Sequence, residues 1–197
     1  IIHNETLRLT RLLDEILDLS HLERGELNWT LQPIDPSAVL ARAVETCQGM
    51  ATGVTVEVRN DAGPVEILGH SDRLAQVFIN LISNAIKHNT GAGPRLSIHS
   101  SVIDGRFVVD VQDNGPGIHP ADRERIFSKF SRAWSSDRPA TTGAGLGLAI
   151  SRAILRRMNG TLDLLPATGD GACFRVTLPL RQAAGQSPRA AIVRRLV

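Results

Sequence analysis

Two asparagines and a lysine stand close together in a segment that is otherwise largely apolar. Asn80 and Asn84 are four residues apart, so in a helix they share one face, and Lys87 lies just beyond them. Carboxamides on an apolar face need partners, and Mg²⁺ takes oxygen ligands such as an Asn side chain and triphosphate oxygens. Lysine supplies a point charge for phosphate. The pattern indicates a metal–phosphate site, although helix capping or a buried amide network would use the same residues.

An acidic, glycine-rich turn follows a predicted strand. Its sequence, from Asp113 to Gly117, is Asp-Asn-Gly-Pro-Gly. Glycine adopts positive φ and lets a ligand approach the backbone closely. A carboxylate at the end of a strand can accept a hydrogen bond from an exocyclic amine. An ordinary Asp-Asn-Gly turn would explain the same residues, so the motif is informative only beside the others.

A third cluster, Gly143 to Leu148, opens a predicted helix. Its sequence is Gly-Ala-Gly-Leu-Gly-Leu. Exposed amides at a helix N-terminus bind anions, and small residues let a phosphate come close. The cluster is not a dinucleotide fingerprint, because it follows a polar loop rather than a strand, and it is not a P-loop, because no Gly-Lys-Ser/Thr follows. It therefore indicates a phosphate site of another kind.

Hydrophobic periodicity and turn residues predict the elements that hold these clusters. The predicted helices cover 1–24, 37–50, 71–86, 121–127 and 146–158, and the predicted strands cover 54–58, 65–68, 95–103, 106–112, 161–165 and 172–178. Asp104-Gly105 favours a tight hairpin turn. The order predicts an α/β fold: a two-layer α/β sandwich, with helices covering one face of a mixed, mostly antiparallel sheet.

The first predicted helix is amphipathic. Leu9, Leu12, Ile16 and Leu19 recur at three- and four-residue spacing, and Gly25 is a stop signal. We expect this apolar stripe to pack against a partner helix or at a dimer interface. Docking on its own domain is the alternative.

Composition limits the class of protein. The chain has 197 residues, of which 42% are hydrophobic and 21% charged, as in globular proteins. A net charge of +2, with scattered basic residues, gives no reason to expect nucleic-acid binding. The two cysteines are too few for a disulfide framework. No apolar run approaches the ~18 residues that span a bilayer, so we expect a cytoplasmic chain.

Four motifs carry a resemblance to a known family. Residues 80–87 resemble the N box, 113–117 the G1 box, 127–130 (Phe-Ser-Lys-Phe) the F box and 143–148 the G2 box. Together they resemble the catalytic and ATP-binding domain of sensor histidine kinases, within the group shared with gyrase B, Hsp90 and MutL. The resemblance runs from about Leu9 to Leu180. It implies the Bergerat-type ATP fold.

The resemblance also implies a domain organisation. Residues 14–23 resemble the end of the second helix of the dimerisation and phosphotransfer hairpin. We therefore expect a partial hairpin helix over 1–25, a linker over 26–36, a catalytic domain over 37–181 and a polar tail over 182–197. It further implies homodimerisation through the hairpin and a parent protein anchored in the bacterial inner membrane.

The matching positions imply ATP and Mg²⁺ as ligands. Asp113 would bind the adenine amino group, Asn84 the Mg²⁺ with support from Asn80, and Lys87 a phosphate, while His88 would lie against the nucleotide. Ile118–Thr142 would form the lid over the nucleotide, anchored by Phe127 and Phe130. The remaining implied nucleotide-binding residues are Gly115, Gly117, Ile118, Phe130, Arg132, Gly143, Ala144, Gly145, Leu146, Gly147 and Leu148.

Three positions depart from the family pattern. His88 replaces a common aromatic residue, which puts its role in doubt. Ala144 stands between two glycines where Thr is common, so a hydroxyl contact is lost. Met158-Asn159-Gly160 replaces a His-Gly-Gly-like helix end, where Asn can adopt the left-handed conformation.

Asn80 distinguishes between activities within the group. The ATPase relatives resemble one another in placing a Glu there as a general base for water, which an amide cannot replace. We expect γ-phosphate transfer to a histidine, followed by relay to the receiver domain of a response regulator. The alternatives are a gyrase- or Hsp90-like ATPase, which would show steady-state hydrolysis, a serine-directed kinase, and a non-enzymatic module without nucleotide affinity.

The phosphate-accepting histidine is expected upstream of this sequence. In the family it belongs to a His-Glu-x-x-x-Pro-like box, and none of the six histidines stands in one. We expect the chain to bind ATP or ADP with Mg²⁺ without phosphorylating itself.

Overall fold

The computed structural model of the chain describes residues 29–90, 92–131, 145–166 and 171–181, with isolated positions between 10 and 24. The predicted polar tail over 182–197 lies outside the described residues. None of the helices in these ranges combines the length and hydrophobicity that a bilayer span requires.

In the described part of the chain, seven strands form two sheets. The larger sheet has the order β2-β4-β5-β7-β6, in which β2 and β4 are parallel and the other neighbours antiparallel. The smaller sheet pairs β1 with β3. The strands are β1 (Gln32–Ile34), β2 (Thr55–Asn60), β3 (Ile67–Gly69), β4 (Arg95–Ile103), β5 (Arg106–Asp113), β6 (Thr161–Leu165) and β7 (Cys173–Pro179). The predicted mixed, mostly antiparallel sheet is confirmed.

The β4–β5 hairpin has the turn that its sequence predicts. Asp104 and Gly105 have φ values of 50° and 70°, and Ile103 pairs with Arg106 across the turn. A two-residue turn with both φ positive matches the twist of the flanking strands. The register of this hairpin sets where β5 ends, and so where Asp113 lies.

Within residues 29–181, the described α-helices are α1 (Pro36–Cys47), α2 (Ser71–His88) and α3 (Gly147–Arg157), which pack beside the sheet. The central helix, α2, contacts α1, α3 and β5. Its buried residues recur at three- and four-residue spacing, as in a helix with one apolar face. They are Leu74, Ala75, Val77, Phe78, Leu81, Ile82, Ser83 and Ala85.

The core lies between these helices and the sheet. Phe78 of α2 and Phe107 of β5 are completely buried there, as is Ile154 of α3. Leu19 and Leu22, near the end of the first predicted helix, join the same core, whereas Leu13 and Leu17 are 60% and 55% exposed. The end of that helix therefore docks on its own domain, whereas Leu13 and Leu17 before it do not join the core.

Two elements differ from the sequence expectation. Strand β1 lies in the segment predicted as an extended linker. It was not predicted because its three residues, centred on Pro33, are too few to show alternating polarity. The helix predicted over 121–127 consists of two 3-10 turns, Pro120–Asp122 and Arg125–Phe127. Each of these turns is only three residues long, and 3-10 geometry suits such short pieces.

Asp35 is expected to stabilise α1 as its N-terminal cap. Its Oδ1 accepts hydrogen bonds from the backbone N–H groups of Ser37 at 2.8 Å and Ala38 at 3.3 Å. Asp35→Ala should lower the free energy of unfolding by about 1 kcal/mol and the Tm by roughly 2–4 °C in thermal denaturation. Asp35→Asn keeps the accepting oxygen and should retain most of the stability. Equal losses in both variants would contradict the capping role.

Candidate functional site

Asn80 links α2 to the start of α3. Its Nδ2 donates to the Oγ of Ser151 at 3.0 Å, and its Oδ1 accepts a long hydrogen bond from Nδ2 of Asn84 at 3.4 Å. A Cβ built on Gly147 would lie only 2.3 Å from Asn80 Oδ1. The two helices can approach this closely because residue 147 has no side chain.

The N-terminus of α3 has no side-chain cap. Leu146, at the N-cap position, is 1% exposed, and its apolar side chain cannot accept a hydrogen bond from the helix. Gly145, just before it, has φ +71°, and a Cβ there would lie 2.6 Å from the carbonyl oxygen of Ser131. The first N–H groups of a helix lack intrahelical acceptors, so this end can receive an anion.

A cavity of about 610 Å³ runs beside α2, between α1 and the start of α3. Lys87 and Asn80 line it together with Gly147. Its remaining lining residues are Arg42, Ala43, Thr46, Asp72, Ala75, Gln76, Ile79, Ser83, Ile150 and Ser151. Of the predicted metal and phosphate residues on α2, Asn80 and Lys87 line this cavity but Asn84 does not, and Asp113 also lies outside it.

Asp113 is the last residue of β5 and is only 8% exposed. Its Oδ1 accepts hydrogen bonds from the backbone N–H groups of Gly115 at 2.9 Å and Ala172 at 3.3 Å. Burial raises the pKa of the Asp113 carboxyl above its ordinary value, and these two N–H donors partly oppose the rise. Oδ2 accepts no hydrogen bond from any residue that the structure describes. One carboxylate oxygen is thus available to an amine donor.

Backbone segments close around this carboxylate. Gly171 has φ +104°, and a Cβ there would lie 1.9 Å from the carbonyl oxygen of Asp113. Gly117 has φ +72°, and a Cβ there would lie 2.9 Å from the carbonyl oxygen of Gly171. Gly171, just before β7, therefore packs directly against the acidic turn. We did not expect Gly171 in the site, because a glycine between two strands is typical of an ordinary turn.

The sequence also did not predict a network of hydrogen-bonded side-chain amides. Nδ2 of Asn89, which is 5% exposed, donates to the carbonyl oxygen of Arg95 at 2.8 Å and to Oδ1 of Asn114 at 2.9 Å. Asn114 accepts from the N–H of Arg95 and donates to the carbonyl oxygen of Gly93. The network ties the end of α2 to the acidic turn.

The helix α2 therefore touches two of the predicted clusters. Asn80 packs against Gly147, and the carbonyl oxygen of His88 lies 3.1 Å from a Cβ built on Gly115. The side chains of Lys87 and His88 are exposed at the same end of the helix. The structure thus brings the amides, the acidic turn and the start of α3 to one helix.

The two phenylalanines of the Phe-Ser-Lys-Phe segment behave differently. Phe127 packs edge-on against Phe174 with ring centroids 6.3 Å apart, and the guanidinium carbon of Arg152 lies 3.8 Å from its ring centroid. Phe130 has φ +58° and is 59% exposed. Phe127 therefore packs against its neighbours while Phe130 is exposed, and the anchoring of the lid by these two residues stays a prediction.

The remaining predicted residues fall into two groups. Ile118 and Leu148 are partly buried and pack against the core, and Leu146 belongs to it. Arg132, Gly143 and Ala144 lie outside the described residues.

The geometry can be compared with known proteins. The sequence pattern of the histidine kinase-, DNA gyrase B-, and HSP90-like ATPase family matches residues 69–182. The chain is 33% identical over 183 residues to the sensor protein KdpD of Escherichia coli (strain K12), covering 92% of this chain and 20% of KdpD. It is 32% identical over 176 residues to the sensor-like histidine kinase SenX3 of Mycobacterium bovis, covering 89% of this chain and 43% of SenX3.

Solved structures agree with this similarity. The mycobacterial sensor histidine kinase MprB matches with a TM-score of 0.68 and 27% identity, over 77% of this chain and 100% of that chain. Full-length ShkA in complex with AMPPNP matches with a TM-score of 0.76 and 30% identity, over 89% of this chain and 36% of that chain. The chain belongs to the histidine kinase-, DNA gyrase B- and HSP90-like ATPase family, and within it corresponds to the ATP-binding catalytic module of sensor histidine kinases.

Proposed function

We propose that this chain binds ATP with Mg²⁺ and presents the γ-phosphate to a histidine that lies outside the 197 residues. The observation that carries the proposal is the placement of α2, which contacts the uncapped N-terminus of α3 through Asn80 and the acidic turn through His88 and Asn89. A purine nucleotide with an exocyclic amine needs a hydrogen-bond acceptor for the amine and an anion site for its phosphates. The two must be no farther apart than the nucleotide is long. The C-terminal half of α2, from Asn80 to His88, provides contacts to both.

The base end of the site is assigned to Asp113. Its free oxygen is suited to accept a hydrogen bond from the adenine amino group, and burial strengthens that bond by excluding water. Gly115 and Gly117 let the acidic turn pack closely against its neighbours, since a Cβ at either would lie 2.9 Å from Asp113 Oδ1 or from the carbonyl oxygen of Gly171. The exposed imidazole of His88 adjoins this turn and is placed against the nucleotide.

The phosphate end is assigned to Lys87 and the start of α3. The Lys87 ammonium lines the cavity that Asn80 and Gly147 share, and the uncapped N–H groups of α3 add partial positive charge. We include Arg132, Gly143, Ala144 and Gly145 in this end on the family resemblance.

Asn84 and Asn80 fit a magnesium ion that nucleotide oxygens help to hold. Asn84 uses only its Nδ2 toward Asn80, so its oxygen remains for a hard cation. The described residues contain no cluster of three or more acidic, His or Cys side chains suited to a metal. An ion held here would depend on the phosphates, and when bound it would supply charge neutralisation for phosphoryl transfer.

Transfer to a protein histidine is favoured over hydrolysis of ATP. Asn80 is an amide held by Ser151, and it cannot take a proton from water at neutral pH. Catalysis by this chain would consist of holding the nucleotide and neutralising charge. The chain spans 20% of KdpD and 43% of SenX3. We include a histidine nucleophile, homodimerisation, membrane anchoring and relay to a response regulator in the proposal on the family resemblance.

Two substitutions should separate the two ends of the site in calorimetric titrations. Asp113→Asn should weaken both adenosine and Mg·ADP by about tenfold or more, because it replaces an acceptor that the amine needs. Asn84→Ala should weaken Mg·ADP by a similar factor and leave adenosine unchanged. The control is Asp61→Asn, at an exposed position directly after β2. Equal binding of Mg·ADP by all four proteins would refute the proposed site.

The affinity for ADP should depend on pH through Asp113. The amine binds the carboxylate form, and burial raises the folded pKa of Asp113 above its value of 3.8 in an exposed chain. As pH falls through that raised pKa, the carboxyl takes up a proton and ADP affinity should drop. The same protonation relieves the burial of charge, so the unliganded fold should lose no stability from Asp113 over this range. Asp113→Asn should abolish this step, and a step of unchanged size in the variant would contradict the assignment.

A further inference from the structure

Asn89, the residue after α2, presents an amide whose orientation is chemically fixed. Its Nδ2 faces the carbonyl oxygen of Arg95 and Oδ1 of Asn114. Asn114 Oδ1 must be an oxygen, because it also accepts from the N–H of Arg95 at 2.6 Å. Both neighbours of Nδ2 are therefore acceptors, and a flipped Asn89 amide would place oxygen against oxygen.

This orientation leaves the amide oxygen of Asn89 buried without a hydrogen-bond partner among the described residues. A buried carbonyl oxygen that lacks a partner is unfavourable for stability. The amide nitrogen of an asparagine nevertheless offers two hydrogen-bond donors, whereas a hydroxyl group offers one. Stability alone therefore does not account for asparagine at this position.

The two donors join the end of α2 to the base end of the proposed nucleotide site. One holds Asn114, the neighbour of Asp113, and the other holds Arg95 at the start of β4. A Cβ on Gly115 would lie 2.9 Å from Asp113 Oδ1 and 3.3 Å from the Cα of Asn89. The acidic turn thus lies in direct contact with the end of α2, and the Asn89 amide sets their separation.

We propose that Asn89 is a positioning residue for adenine recognition, which holds the Asp113 carboxylate at a fixed distance from α2 through Asn114. Asn89 makes no contact with the ligand. Because recognition of the amine by Asp113 is part of the proposed function, this role rests on that function. The predicted consequence is specific: loss of the Asn89 amide should weaken the part of the affinity that comes from the 6-amino group.

The test compares ADP with purine riboside 5′-diphosphate, which lacks the amino group, in competition titrations with Mg²⁺ on the full chain. Asn89→Ala should weaken ADP by about 5- to 10-fold and leave the analogue unchanged, so the ratio of the two affinities falls by that factor. Asn89→Ser keeps one donor and should lower the ratio roughly threefold.

Asn60→Ala is the matched control, because its side-chain oxygen accepts from Ser100 Oγ at 2.9 Å and from the N–H of Ala62 at 3.1 Å, away from the site. It should lower the Tm and keep the affinity ratio. A wild-type chain that does not bind ADP would refute the proposed function. A wild-type chain that binds ADP, beside a folded Asn89→Ser variant with the wild-type ratio, would overturn the role of Asn89 alone.

Discussion

Close contact between one helix and the backbones of two glycine-containing segments sets the geometry of this domain. Helix α2 lies close to Gly147 and Gly115. A Cβ on Gly147 would lie 2.3 Å from Asn80 Oδ1, and a Cβ on Gly115 would lie 3.1 Å from the carbonyl oxygen of His88. The helix is held there by its buried apolar face, which packs on α1, α3 and β5. Hydrophobic packing of α2 therefore determines the spacing of polar groups on its other face.

The acidic turn shows the cost of this arrangement for stability. Asp113 is buried, and its pKa is raised because the charged form loses water. Two backbone N–H groups offset part of this cost, and one of them comes from Ala172, 59 residues away in the chain. A carboxylate that is shielded from water and has an oxygen without a hydrogen bond destabilises the fold, but it is well suited to binding an amine. The amide oxygen of Asn89 beside it is likewise buried without a hydrogen-bond partner among the described residues.

Much of the fold and of the site follows from local sequence. The spacing of Leu74, Phe78 and Leu81 predicts α2, and Asp104-Gly105 predicts the hairpin turn, because both depend on neighbours within a few residues. Gly171 and Asn89 could not be predicted, since their importance arises from contacts with Asp113 and Asn114 that only the folded sheet creates. Strand β1 escaped for a related reason: its pairing partner, β3, is also only three residues long.

The central claim is that one nucleotide contacts both the start of α3 and the acidic turn, and backbone amide resonances report on it directly. A titration of the isotope-labelled chain with Mg·ADP, followed by two-dimensional NMR, measures the N–H groups of Gly115 and Gly147 in the same sample. We expect both resonances to shift along titration curves with one common Kd. A shift at only one of the two glycines, or two clearly different Kd values, would contradict the account.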